Sequence, residues 1–158
     1  MKISQMVSFR KIKASDLLFI EKVFRSTREK ELGYTNWSEQ QKHAFVVMQS
    51  MAQEADYKKK FPGAFFEIML FKNKPAGRLY TNETANEIQL IDISLLPEYR
   101  GNGIGTVILS GLIKRSEDKQ IPVTLHVLPD NPALKLYQRM GFKHIRDDGQ
   151  HWFMERRP

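Results

Sequence analysis

A short glycine-rich segment in the second half of the chain has residue types suited to holding an anion; it reads Arg100-Gly101-Asn102-Gly103-Ile104-Gly105. It follows a run typical of a strand and precedes a run typical of a helix, so the free amides and the dipole of the helix start would favour a negative charge. Glycine lets the backbone approach a pyrophosphate closely, and arginine adds a cationic fork. The segment predicts a phosphate-binding loop.

Other glycine-loop families can be tested by spacing. A dinucleotide fingerprint requires a third glycine three places after the second, but those places hold Thr106 and Ile108. The Gly-Lys-Ser/Thr of a nucleotide-binding P-loop is also missing from this segment. Taken alone, the loop leaves one alternative open, a glycine-rich turn without a ligand.

A second motif follows one helix and one strand later, Asn131-Pro-Ala-Leu-Lys-Leu-Tyr137-Gln-Arg-Met-Gly-Phe142. Together with Arg100-x-x-Gly103-x-Gly105, it resembles the paired signatures of the GNAT superfamily of N-acetyltransferases, Asn-x-x-Ala-x-x-x-Tyr-x-x-x-Gly-Phe being the second. The resemblance covers about residues 88–142, with both motifs in the family's order. It implies acetyl-coenzyme A as co-substrate and acyl transfer to an amine.

The resemblance implies a role for each matching residue. The fourth strand would run beside the pantetheine arm, and amides from Asn102 to Thr106 would hold the pyrophosphate. Tyr137 would protonate the departing thiolate, since a phenol and a thiol have comparable pKa values. Asn131 would cap its helix and contact the coenzyme A arm. The cofactor-binding residues implied are Ile93, Ser94, Leu95, Arg100, Gly101, Asn102, Gly103, Ile104, Gly105, Thr106, Asn131 and Tyr137.

The base that accepts the amine's proton has three candidates. His126 lies where ribosomal-protein N-terminal acetyltransferases of this family carry glutamate, and a histidine titrates near neutrality. Asp92 is the lone charge in an apolar run, which favours either a paired or a functional carboxylate. Glu87 opens the same strand. Each also has a purely structural interpretation: a hydrogen-bonded histidine, a salt-bridged aspartate, a solvated glutamate.

The elements that must position these residues follow from hydrophobic periodicity and turn signals. Strands are predicted over 7–12, 65–72, 77–81, 88–96, 123–128, 142–146 and 150–155. Helices are predicted from Ser15, the expected N-cap, to near Glu31; after the capping box at Ser38–Gln41; from the end of the glycine loop to Asp118; and over Asn131–Met140, with Gly141 as C-cap. The apolar face predicted for the helix after Ser38 contains Ala44, Val47, Met48, Met51 and Ala55. Asn73-Lys74-Pro75 is the predicted turn between the second and third strands. The result is a mixed α/β fold (α+β) of about six to seven mostly antiparallel strands and about four helices. The resemblance adds a splayed parallel pair at its centre.

Composition narrows the remaining classes. The chain has 158 residues, which predicts one domain over residues 1–158, and it has no cysteine for disulfides, thiolate metal sites or cysteine nucleophiles. That absence agrees with a cytoplasmic location. The net charge of +7 suits a phosphate-rich ligand, but the basic residues are too scattered for a nucleic-acid surface.

The expected partners follow from these observations. They are acetyl-coenzyme A and an amine acceptor of unidentified class, with no metal, nucleic acid or membrane. In the family, the acceptor is usually held by the first two helices with their connection, here Arg28–Ser38, and by the closing hairpin. Homodimers are common in the family, so a homodimer is an expectation to which no residue is assigned.

Overall fold

The computed structural model describes residues 2–158 and contains a seven-stranded mixed sheet. The strand order is β1-β2-β3-β4-β5-β7-β6, and the β4–β5 pair is parallel while the others are antiparallel. The strands are β1 Val7–Lys11, β2 Phe65–Phe71, β3 Lys74–Glu83, β4 Ile88–Leu95, β5 Val123–Val127, β6 Lys143–Asp148 and β7 His151–Arg156. The predicted mixed sheet with one central parallel pair is confirmed.

Five α-helices lie within residues 2–158, one more than predicted. They are α1 Leu17–Ser26, α2 Glu29–Gly33, α3 Glu39–Lys60, α4 Ile104–Lys119 and α5 Leu134–Arg139. The predicted first helix is divided because two hydroxyls occupy its carbonyls: Ser26 Oγ donates to Val23 O and Thr27 Oγ1 to Phe24 O, both at 2.6 Å. Such side-chain bonds compete with helix propagation.

Two predicted boundaries were wrong for local reasons. Ser15 is not the N-cap of α1; it lies in a 3₁₀ turn, Ala14–Asp16, and α1 begins at Leu17. The hairpin between β2 and β3 turns at Lys72 and Asn73, whose φ angles are +51° and +66°, and Pro75 is already in β3. A two-residue turn with two positive φ angles matches the twist of a hairpin.

The sheet has helices on both faces. The larger core lies between the sheet and α4 and α5, and it includes Leu90, Leu109, Val123, Leu125 and Tyr137. A smaller cluster of Phe24, Leu32 and Val46 joins α1, α2 and α3 on the other face. The functional residues of β4 and β5 therefore lie between two packed layers.

The inward face of α3 is apolar at Val46 and polar from Ser50 onward, and it differs from the predicted apolar face of Ala44, Val47, Met48, Met51 and Ala55. Met48 and Met51 are 58% and 57% exposed, whereas Val46 and Ser50 are buried. The physical reason is tertiary, because the next inward positions contact charged groups of the sheet. The capping box at the start of α3 is confirmed: Ser38 Oγ accepts from the Gln41 amide at 3.1 Å.

Among residues 2–158, no helix combines the length and apolar composition that a bilayer crossing requires.

Candidate active site in the gap between β4 and β5

The parallel strands β4 and β5 pair over only three positions, Ile88–Leu90 against Val123–Leu125. The β3 register then shifts so that Tyr80 opposes Asp92 and Thr81 opposes Leu90, which leaves Ile91 as a bulge. Beyond the bulge the two strands no longer pair. A cleft opens there, and its lining includes Ile91, Asp92, Ser94, His126, Asn131 and Tyr137.

The glycine loop precedes α4 in the conformation that the sequence predicts. Gly101 and Gly103 have φ angles of +76° and +82°, a region that glycine enters without strain. The first helical hydrogen bond runs from the Val107 amide to Gly103 O. Within residues 2–158, the amides from Asn102 to Thr106 donate to no carbonyl or side chain. These amides are therefore free to bind an anionic group. That this group is the pyrophosphate of coenzyme A stays a prediction.

Arg100 braces the loop. Its Nε donates to Leu95 O at 3.0 Å, and its Nη2 lies 3.4 Å from Ser26 Oγ at the end of α1. The predicted contact of Arg100 with a pyrophosphate is not tested by these bonds. They show that its side chain ties the end of β4 and the end of α1 to the loop.

Ile93, Ser94 and Leu95 pair with β3 along one strand edge, opposite Leu79, Arg78 and Gly77 respectively. Gly77 permits this pairing, since a Cβ atom there would stand 2.1 Å from Ser94 O. Within the described chain, the opposite edge of β4 is unpaired over these residues, because the last pair with β5 is Leu90 with Leu125. It can therefore offer main-chain hydrogen bonds to an extended ligand, as the predicted pantetheine contact requires.

Tyr137 lies in α5 and is 6% exposed, packed against Phe142 with ring centroids 5.8 Å apart. Its hydroxyl has no hydrogen-bond partner among residues 2–158. Burial, and to a lesser extent the nearby charge of Asp92, raises the pKa of Tyr137 above the ordinary phenol value. The phenol is thus held in its protonated form close to Asp92.

The helix that carries Tyr137 is shorter than predicted. It begins at Leu134 rather than Asn131, and Asn131 Oδ1 accepts from the Ala133 amide at 2.8 Å, capping the preceding turn. At the other end Gly141 has a φ of +95°, and the Phe142 amide donates to Tyr137 O at 3.0 Å. This glycine-dependent end matches the Schellman pattern.

Asp92 is salt-bridged, as its structural interpretation proposed. Arg78 Nη2 donates to Asp92 Oδ2 at 2.9 Å and Tyr57 Oη donates to the same oxygen at 3.1 Å. Ser94 Oγ donates to Oδ1 at 2.6 Å. These three bonds hold the Asp92 carboxylate in a fixed position at the wall of the cleft.

The partner of Asp92 is a buried arginine that the sequence analysis missed. Arg78 is 1% exposed and also contacts α3, donating to Glu54 Oε1 at 3.1 Å and to Gln53 Oε1 at 2.7 Å. Tyr80 Oη donates to Glu54 as well, at 2.8 Å. Burial raises the pKa of Glu54. The signal in the sequence was Arg78 itself, the one charge in a predicted strand of Gly77–Thr81, because a charge there requires a partner.

Replacing Arg78 by methionine should lower the free energy of unfolding by about 3–5 kcal/mol, because it leaves two carboxylates facing each other without their cation. Denaturant unfolding measures this change. Arg115→Met is the matched control, since Arg115 pairs with Glu83 on the surface and should cost about 1 kcal/mol or less. Equal losses in the two variants would contradict a structural role for the buried network.

His126 projects into the mouth of the same cleft, with 52% of its side chain exposed. Its Nε2 lies 2.9 Å from Asp148 Oδ2, and its ring packs 5.1 Å from that of Phe153. Glu87 is elsewhere: it precedes β4, and its Oε1 accepts from Gln89 Nε2 at 2.6 Å. The structure thus brings Tyr137, His126 and Asp92 to one cleft and leaves Glu87 outside its lining.

No three His, Asp or Glu side chains of residues 2–158 gather in a group that could hold a metal ion.

Residues 24–142 match the family model described as the acetyltransferase (GNAT) family. The chain belongs to that GNAT family. The match contains the glycine loop, β4, β5 and α5. The cleft residues Asp92, His126 and Tyr137 therefore lie within the matched region.

Curated relatives match about half of this GNAT chain. The cysteine-rich protein 2-binding proteins of Mus musculus and Homo sapiens are each 43% identical over 81 residues, 50% of this chain and 10% of theirs. The [ribosomal protein bS18]-alanine N-acetyltransferase of Haemophilus influenzae is 30% identical over 78 residues, 49% of this chain and 53% of its own. The chain therefore spans between about a tenth and about half of the length of these relatives.

Solved structures share the GNAT fold along almost the whole chain. The PaiA N-acetyltransferase from Thermoplasma acidophilum in complex with coenzyme A has a TM-score of 0.69 at 23% identity, covering 96% of this chain and 99% of that one. The ribosomal-protein-S18-alanine N-acetyltransferase from Escherichia coli has a TM-score of 0.64 at 18% identity, covering 96% and 94%. At these identities the likeness concerns the fold.

Proposed function

We propose that this protein is an acetyl-CoA-dependent N-acetyltransferase that acetylates a primary amine by direct attack within a ternary complex. The observation that carries the proposal is the cleft at the β4 bulge, where Tyr137, His126 and Asp92 converge. Membership of the GNAT family supports acetyl transfer, and a structural neighbour with coenzyme A bound supports the choice of co-substrate.

The chain offers two kinds of contact to coenzyme A. The amides from Asn102 to Thr106, at the positive end of α4, suit the diphosphate. The open edge of β4 over Ile93–Leu95 suits the amide-containing pantetheine arm, which can hydrogen-bond like an added strand. The thioester would then reach the cleft, where it supplies an activated acyl carbon.

Acyl transfer requires two proton movements at opposite ends of the reacting group. The amine must lose a proton before or as its nitrogen attacks the thioester carbon, since an alkylammonium has no free electron pair. The C–S bond then breaks, and its electron pair leaves on sulfur. In this proposal Tyr137, which lines the cleft and whose hydroxyl has no protein hydrogen-bond partner in residues 2–158, donates its proton to that thiolate.

His126 is the better candidate for the base. Its second ring nitrogen, Nδ1, has no partner among residues 2–158, and an imidazole accepts a proton near neutrality. The oxygens of Asp92 already accept three hydrogen bonds, from Arg78, Tyr57 and Ser94. Asp92 is therefore better suited to attracting the ammonium form of the acceptor than to removing its proton.

Release of free thiol from acetyl-CoA in the presence of varied amines tests the proposal, the acetylated product being identified by mass. The rival function is a non-catalytic acyl-CoA-binding sensor on the same fold. The unpartnered Tyr137 hydroxyl beside the cleft favours the enzyme, because a sensor needs no acid near the sulfur. Binding of acetyl-CoA without thiol release across peptides, amino acids, polyamines and aminoglycosides would favour the sensor.

The His126→Ala variant should lose about 10²-fold in kcat/KM at neutral pH, because the proton acceptor is removed. Steady-state thiol release from acetyl-CoA measures this loss. His144→Ala is the matched control: His144 also contacts an aspartate, with Nε2 2.7 Å from Asp147 Oδ1, but lies outside the cleft lining. An unchanged kcat/KM in His126→Ala would transfer the base role to another group.

A further inference from the structure

Arg28 brings a cation to the cleft without a carboxylate to balance it. Its side chain lines the cleft from the connection between α1 and α2, and its guanidinium lies 4.8 Å from the centre of the Phe24 ring. Its Nη1 contacts Thr27 Oγ1 at 3.4 Å. Among residues 2–158 it forms no salt bridge. The half-buried guanidinium packs on an aromatic ring and can therefore bind an anionic ligand in the cleft.

The neighbouring Arg25 shows that this arrangement is not general for the helix. Arg25 lies one turn earlier and donates to Glu29 Oε1 and to Glu39 Oε2, each at 3.0 Å. Glu29 and Glu39 therefore both pair with Arg25 and leave Arg28 without an acidic partner in the described part of the chain. Arg28 is the arginine of this segment that faces the cleft.

The same cleft carries a negative charge on the sheet side. Glu54 and Asp92 are two carboxyl groups that share one guanidinium, that of Arg78. Asp92 lines the cleft together with Arg28. A ligand that complements both walls has an ammonium group directed to Asp92 and an anion directed to Arg28.

Resting on the proposed acetyltransferase function, we infer that the acceptor is an amino carboxylate, with a primary amine and a carboxylate in one molecule, and that Arg28 binds the carboxylate. A planar guanidinium donates two parallel hydrogen bonds to a carboxylate, and this geometry would also orient the amine towards the bulge. The carboxylate can be that of a free amino acid or that of an acidic side chain near the N-terminus of a peptide.

Phosphates of coenzyme A are the other anions that Arg28 could meet. The free amides that suit the diphosphate lie at the start of α4, which packs in the larger core. Arg28 instead follows α1, which packs with α3, and it shares the cleft with Gln53 and Tyr57 of α3. Ser26, at the end of α1, also contacts Arg100 of the glycine loop, so distance along α1 does not separate the two anions. What favours the acceptor is that Arg28 lines the same cleft as Asp92 and His126. The KM of acetyl-CoA in the Arg28→Gln variant distinguishes the two.

The test compares acceptors that differ only in the carboxylate. Wild-type protein, acetyl-CoA and the common L-amino acids are assayed beside the corresponding amino-acid amides, and amidated Ala-Asp is assayed beside amidated Ala-Asn. We expect kcat/KM to be at least about 10-fold higher for the carboxylate member of one of these pairs. A carboxylate preference in the first set indicates a free amino acid as acceptor. A preference for amidated Ala-Asp in the second set indicates an acidic peptide.

Arg28→Gln should raise the KM of the preferred carboxylate acceptor about 10-fold and remove its advantage over the amide, with the KM of acetyl-CoA unchanged. Arg25→Gln removes a neighbouring, ion-paired arginine and should preserve the preference. Wild-type activity that is equal for carboxylates and amides would overturn the inference alone, as would an Arg28→Gln defect confined to acetyl-CoA. Absence of thiol release with every amine, amides included, would overturn the proposed function and the inference with it.

Discussion

The Tyr137→Phe variant should turn over about 10²–10⁴-fold more slowly than the wild-type protein and bind coenzyme A with the same affinity. The change removes one oxygen, and that oxygen is the proton donor proposed for the thiolate. Steady-state kinetics give kcat, and calorimetric titration with coenzyme A gives the affinity. Unaltered turnover would remove Tyr137 from the mechanism.

Stability provides the control for this variant. The Tyr137 hydroxyl has no hydrogen-bond partner in residues 2–158, so its loss should change the free energy of unfolding by about 0.5 kcal/mol or less. A structural tyrosine with a satisfied hydroxyl would show a clear loss instead. A large fall in kcat without a fall in stability therefore separates the catalytic role from a packing role.

The pH dependence of Tyr137 follows from its surroundings. Burial and the charge of Asp92 raise the pKa of Tyr137 above 10, so the phenol stays protonated as pH rises to that value. The kcat of the wild-type protein should accordingly show no decline caused by loss of this proton between pH 8 and about pH 10. A decline in that interval that vanishes in Tyr137→Phe would contradict the raised pKa.

Gly103→Val should weaken coenzyme A binding by at least about 10-fold and leave the fold intact. Gly103 has a φ of +82°, and a side chain in this left-handed region costs roughly 1–2 kcal/mol, more when it is β-branched. The added atoms have room, since the nearest contact of a Cβ there is Ile3 Cδ1 at 3.5 Å. The cost is therefore relieved by rotating the loop, which turns the amides away from the diphosphate.

Gly111→Ala is the matched control for the loop. Gly111 lies within α4, its φ is not positive, and nothing stands within 4 Å of an added Cβ. Alanine there should stabilise the helix by about 0.5–1 kcal/mol without altering coenzyme A affinity. Calorimetric titration with coenzyme A gives the affinity of both variants, and circular dichroism shows whether each variant is folded. Unchanged affinity in Gly103→Val would contradict the phosphate-loop assignment.

The structure also changes how the acceptor side is understood. The sequence analysis treated Asp92 as an unassigned candidate base, whereas the geometry places it in a buried network with Arg78, Tyr57 and Glu54. The oxygens of Asp92 accept hydrogen bonds from Arg78, Tyr57 and Ser94. We therefore propose that Asp92 attracts an ammonium group and that His126 accepts the proton.

Local features of this protein were predictable from the amino-acid sequence by itself. The glycine loop before α4, the capping box at Ser38 and the glycine end of α5 each depend on backbone preferences of a few consecutive residues. The order of strands and helices followed from periodicity, because burial on one face repeats with the geometry of each element. The two motifs assigned the predicted coenzyme-binding residues to these elements.

Only the tertiary structure decided which side chains meet across the sheet. Gln53, Glu54 and Tyr57 of α3 are half-buried and contact Arg78, Tyr80 and Asp92, which lie 24 to 35 residues away along the chain. The apolar face predicted for α3 is therefore on the wrong side of the helix. A hydrophobicity pattern cannot show that a buried position is compensated by a distant opposite charge. The unpaired charge of Arg28 depends likewise on Arg25 having engaged the neighbouring acids, which is a property of the folded chain.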